Sequence, residues 1–223
     1  MSFTGFPKEG VSWFQALSIA QNREWFAQNK AAFELLWLEP TKALLAEVKG
    51  PLEKIYKRKL GEPKVFRLNR DVRFSKDKSP YKRWMAGMLP FAGFKPMEGP
   101  AALYFHLGME DEVAFGFYVL ESPMVKKLRA GILDEKSGRE LQKYVDAARK
   151  KGLRVESMEV LKRAPPGVDP AHPRVELLKH KALALGTDSI PKSVRYNAKF
   201  KDWVLDAASA AAPVLSWGFK RLV

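Results

Sequence analysis

The chain has 223 residues, 39 basic against 25 acidic side chains for a net charge of +14, and no cysteine. That length supports a sizeable apolar core without a metal or disulfide staple, and the missing cysteines exclude disulfides, thiolate nucleophiles and Cys-ligated zinc. The opening "MSFTGFPKEG" lacks the basic-then-apolar pattern of a leader, and the most apolar late stretch, residues 203–219, is short and contains Asp206 and Pro213; a cytoplasmic protein with no membrane association is expected.

In chain order, "GFPKEG" reads as a loop and "VSWFQALSIA" as a helix. Asn22 is a candidate N-cap for the next helix, with Glu24 in its first turn. Trp25, Phe26, Phe33, Leu36 and Trp37 then recur at helical spacing, and Pro40 ends that helix or starts another. Leu44, Val48, Leu52 and Ile55 form a second stripe, with a kink or break expected at Gly50-Pro51. The period changes to two in "VFRLNRDVRF", residues 65–74, which predicts a strand. "WMAGMLPF", "AALYFHLGM" and "EVAFGFYVL" predict three more strands in an antiparallel meander. In the second of these, Tyr104 and His106 share the face opposite Leu103, Phe105 and Leu107. Helices return in "SPMVKKLRAGI" and "SGRELQKYVDAARKKG". "LRVESMEVLKRAPPGVDPAHP" reads as strand and loop, and "FKDWVLDAASAAAPVLSWGFKRL" as a terminal helix interrupted at Pro213. This order predicts an α+β fold, an antiparallel central sheet flanked by N-terminal and C-terminal helices, in one domain over residues 1–223.

The charge is concentrated. Residues 54–95 hold thirteen Lys and Arg against three acids, a balance of +10. On a strand over 65–74, Arg67, Asp71 and Arg73 would share one face, where arginine forks can grip a carboxylate or phosphate. Arg70 would fall on the apolar face, so either the strand bulges or ends near Asn69 or Arg70 meets a buried acid. Asp77, Lys78 and Tyr81 belong to a loop able to fold back over the same place. An ion-pair network pinning the loop to the sheet explains the spacing equally well. Asp71 and His106 are the candidate proton carriers. His106, His172 and His180 show no close metal spacing, so no metal site is assigned. No glycine-rich phosphate loop, dinucleotide fingerprint or G-x-S-x-G elbow is present, so no cofactor is assigned.

The pattern Arg67-x-x-Arg70-Asp71-x-Arg73-Phe74-x-x-Asp77-Lys78-x-x-Tyr81 resembles the hallmark of the "domain of unknown function 2461" family of bacterial and fungal proteins. "GFPKEG", "NREWFAQNK", Tyr104-Phe105-His106 and residues 161–181 resemble further segments of that family. Gln21 stands where the family often has Asn, and "AFGFYVL" around Gly116 holds fewer glycines than is usual there. The resemblance implies a fold and a set of candidate residues, to which it adds Arg23, and no established activity. Three functions are expected in competition: binding of a small anionic ligand by Arg67, Arg70, Arg73, Asp77, Lys78, Tyr81 and Arg23; nucleic-acid binding through the basic region, with Phe74, Tyr81 and Trp84 for stacking; or a structural charged network.

Overall fold

The computed structural model describes residues 2–73, 76–95 and 97–223. Its N-terminal part is helical. Helix α1 (Glu9–Ala20) stops at Gln21, whose left-handed backbone (φ 43°) redirects the chain. Asn22 then caps α2 (Arg23–Phe33) by accepting a 2.8 Å hydrogen bond from the Trp25 amide, as its residue type predicts. A π-helical turn (Glu34–Leu38) carries α2 straight into α3 (Glu39–Tyr56), with Pro40 in the first turn of α3. That is where a missing N–H costs least.

Two expected interruptions do not occur. Helix α3 runs through Gly50-Pro51, and the terminal helix α8 (Lys199–Arg221) runs through Pro213. Both prolines lie on the exposed side of their helices. Water can satisfy the carbonyl each one frees, while the opposite face stays packed.

The sheet has six strands among the described residues, in the order β1-β2-β3-β4-β6-β5, every neighbouring pair antiparallel. These are β1 (Lys64–Val65), β2 (Trp84–Pro90), β3 (Ala101–Gly108), β4 (Glu112–Phe117), β5 (Leu153–Glu156) and β6 (Leu183–Thr187). Helices α4 (Ser122–Leu133) and α5 (Glu135–Arg149) separate β4 from β5, and short α6 (Val175–Lys179) and α7 (Lys192–Arg195) flank β6. Helices therefore precede and follow an antiparallel sheet, as the α+β reading requires.

The expected strand over residues 65–74 is mostly absent. Regular pairing ends at Val65, although the Phe66 amide still donates to Ala86 at 3.0 Å. Beyond it only Asn69 bridges Tyr81, supported by Arg70 N to Pro80 O at 2.8 Å and Lys82 N to Leu68 O at 2.9 Å. The alternation in "VFRLNRDVRF" thus reports a loose edge arm, and Arg70 does not have to enter a core. Phe74 lies outside the described residues.

Alternation sorts the remaining strands cleanly. Met85, Leu89, Leu103, Phe105, Leu107, Val113, Phe115, Phe117 and Leu185 are buried on one face, beneath α1, α3 and α8. The cross-strand partners on the other face are Ala86 with His106, Met88 with Tyr104, and His106 with Glu112. This second face is polar and aromatic.

Candidate functional site

The arm after β1 spends much of its charge on itself. Asp71 accepts from Arg73 Nε at 3.0 Å and Nη2 at 2.8 Å, both groups exposed. Arg73 first, and Arg67 last, hold the Asp71 carboxyl down at about 2. A carboxylate that acidic stays ionised at neutral pH and is a poor proton carrier there. Arg70 meets an acid after all, pairing with Asp77 at 3.0 Å. The Arg70 side chain is 16% exposed and Asp77 is half exposed, so the pair sits at a boundary. The Ser79 amide and hydroxyl, ahead of Arg70, lower the Asp77 pKa. Lys78 Nζ donates to Val72 O at 2.8 Å. Tyr81 is buried and stacks on Phe26, ring centroids 4.9 Å apart, while Gln21 clasps its backbone N–H at 3.2 Å. Arg23 is exposed at the start of α2 and makes no hydrogen bond or ion pair among the described residues. Of the nominated residues, the fold brings Arg67, Arg70, Asp71, Arg73, Asp77 and Lys78 into one arm and buries Tyr81 beneath it, against Gln21 and Phe26, which bracket Arg23 in the chain.

The arm also delivers a residue that the motif spacing did not single out. Lys82 is half-buried, and its Nζ reaches Arg67 O at 3.3 Å. Burial, then Arg67, then Arg70, lower its pKa. Neither Lys82 nor Arg67 forms an ion pair among the described residues, so three cations are gathered with Asp77 paired to Arg70 and Asp71 acting on Arg67 at longer range. They border the aromatic part of the polar face: Arg70 Cζ is 6.0 Å from the Trp84 ring, and Lys82 Nζ is 5.8 Å from that of Phe66.

Trp84 leads on to the titratable part, its ring 5.2 Å from His106. His106 Nδ1 lies 3.2 Å from the Tyr104 hydroxyl and 3.4 Å from Glu112 Oε2. Burial lowers the His106 pKa and, with help from Glu112, raises that of Tyr104 to about 12. Burial first, then the neighbouring Glu156, push Glu112 up to about 7 against the opposing pull of Arg154. A carboxyl group near a second carboxylate ionises less readily, so Glu112 keeps its proton to a higher pH than an ordinary glutamate does. Between the ordinary value of 4.5 and about 7 the folded chain holds a proton that the unfolded chain has released. The fold therefore loses stability as pH rises through that window. Gly186 leaves room for Glu156: a Cβ there would lie 2.1 Å from Glu156 Cδ, so glycine lets that side chain lie across β6. Arg154 completes the row, bonding Glu156 at 2.7 Å and Asp188 at 3.0 Å.

Residues 9–217 match the profile of a family described as "Conserved hypothetical protein (DUF2461)". The chain belongs to the DUF2461 family. No curated protein and no solved structure matches it. The family description carries no activity, so function in this DUF2461 protein must be argued from its own side chains. Among the described residues no three His, Asp or Glu side chains are arranged to hold a metal ion, and no helix is long and apolar enough to cross a membrane. Asp169 and His172 shape a turn instead, Asp169 accepting from the Ala171 amide and His172 Nδ1 from that of Arg174.

Sequence reading found His106 and its partner Tyr104 through the phase of β3. It did not reach Glu112, Glu156, Arg154 or Lys82. Glu112 could have been placed from the phase of "EVAFGF", since an antiparallel neighbour puts it on the His106 face. Glu156 could not, because β6 arrives from later in the chain and inserts between β4 and β5.

Proposed function

We propose that this DUF2461 protein binds a small anionic ligand, bearing phosphate or carboxylate, at the basic edge of the polar face. Arg67 and Lys82 take the charged group, Arg70 stands behind them held by Asp77, and Phe66 and Trp84 offer flat surface to the rest. The observation that carries this reading is Lys82: a half-buried ammonium crowded by two guanidiniums. Asp77 offsets the charge of Arg70, but Lys82 itself has no carboxylate partner among the described residues, and such costs concentrate at sites whose missing partner is a ligand. Arg73, Lys78 and Tyr81 serve by shaping the arm. The reading is one of binding and assigns no reaction.

Titration calorimetry with pyrophosphate tests it. Each charge-assisted contact is worth about 1.5–3 kcal/mol, so Arg67→Ala is expected to weaken binding about tenfold or more. Its melting temperature should stay within roughly 2 °C of the parent, as for other exposed substitutions. Undiminished affinity in Arg67→Ala overturns the assignment. The row of Phe66, Trp84, Tyr104 and His106 beside a basic region is also the arrangement that stacks single-stranded bases. A labelled oligonucleotide that binds tightly, falls off steeply with salt and is lost in Arg67→Ala would assign the same cations to nucleic acid.

A further inference from the structure

At the other end of the polar face two cavities meet. One, of about 520 Å³, is lined by Lys126, Arg129 and Lys181. The other, of about 560 Å³, is lined by His106, Glu112, Glu156 and His180. Tyr118, Ser157 and Met158 line both, so the two are lobes of one trench.

The lobes differ in chemistry. In the first, Lys181 is paired with Glu159, and Arg129 has its Nε buried without a hydrogen-bond partner. Ser122, the first residue of the twelve-residue helix α4, also lines this lobe, and no side chain caps that helix. The Ser122 amide and the positive dipole end add to the cations, while Pro123 has no N–H and the Val125 amide is already bonded to Glu121 O. In the second lobe Glu112 and Glu156 both face the trench, with Arg154 bonding Glu156 at 2.7 Å. The His180 Nδ1, buried and without a partner, lines this lobe, while the Tyr118 hydroxyl, in the same condition, sits at the junction. Three buried polar atoms unmatched along one trench are expensive unless something else completes their hydrogen bonds.

We propose that the trench is a second ligand site, which takes a small polyhydroxylated molecule carrying a phosphate. The phosphate lies in the first lobe against Arg129, Lys126 and the Ser122 amide that opens α4. The hydroxyls lie in the second, where Glu112, Glu156, Tyr118 and His180 exchange donor and acceptor roles with them. The trench is separate from the Arg67–Lys82 edge, with which it shares no residue.

The test is calorimetry with ribose 5-phosphate and with inorganic phosphate, on the parent and on Glu112→Gln, Arg129→Gln and Arg67→Ala. Ribose 5-phosphate is expected to bind the parent at least tenfold more tightly than phosphate. Arg129→Gln should weaken both ligands at least tenfold, and Glu112→Gln ribose 5-phosphate alone. Arg67→Ala, which alters only the basic edge, should leave the preference for ribose 5-phosphate over phosphate unchanged. A circular dichroism melt on each variant confirms that it is folded, and Arg129→Lys, which keeps the charge, should retain phosphate binding if Arg129→Gln proves unstable. Equal affinity for the two compounds, or loss in Arg67→Ala with none in Glu112→Gln, overturns the proposal. The second of those outcomes would assign the sugar phosphate to the basic edge and leave the reading of that edge intact.

Discussion

Gly116→Ala lowers the melting temperature by roughly 6–12 °C, the shift expected for a loss of about 3 kcal/mol in a domain of this size. Gly116 has a φ of +117°, which L side chains rarely adopt, and its missing Cβ would lie 2.5 Å from Leu183 O on β6. The obstacle is backbone in the middle of the sheet, so it cannot swing aside as a side chain would. Gly116 pairs with Ala184 on one side, and on the other with Ala101, where β3 carries an irregularity between Ala101 and Tyr104. Irregularities of this kind re-aim neighbouring side chains. Two residues on, Tyr118 reaches the trench. A melt of the single variant checks the expectation, and an unchanged melting temperature would mean that β4 and β6 are not packed this closely.

The second large effect separates two arginines of one motif. Arg70→Ala is expected to cost about 1–2 kcal/mol, because a side chain only 16% exposed loses its Asp77 partner and its place near Trp84. Relief of its repulsion with Lys82 offsets part of that cost. Arg73→Ala is expected to cost clearly less, since Arg73 is 75% exposed and its ion pair with Asp71 spans only two residues of chain. Urea melts of the two variants side by side give the comparison. Equal losses would mean that the arm is one cooperative network, in which Arg73 matters as much as Arg70.

How far the residues announce this arrangement differs along the chain. Where a segment packs against one partner, its period suffices: the stripe of α2, the phases of β2, β3 and β4, and the cap at Asn22 are all legible. Where proline points to solvent the local rule misleads, because Pro51 and Pro213 leave the buried faces of α3 and α8 untouched. The 65–74 segment alternates like a strand, yet after Val65 it meets residues 80–86 only through scattered backbone bonds, and Asp71, Arg73 and Asp77 bond locally. Arg70, doubly placed by its phase, is resolved by that early end and by Asp77 together. The Glu112–Glu156 contact was not legible. It depends on β6 entering between their strands and on Gly186 leaving room for one side chain to cross.

The most direct measurement is a paired one on Lys82→Met: its melting temperature and its affinity for pyrophosphate. If Lys82 is held for a ligand, removing its charge relieves the crowding by Arg67 and Arg70. The variant then melts no lower than the parent, while pyrophosphate binding is lost. A variant that melts several degrees lower and binds pyrophosphate as the parent does would contradict the account, and would make the basic arm part of the scaffold.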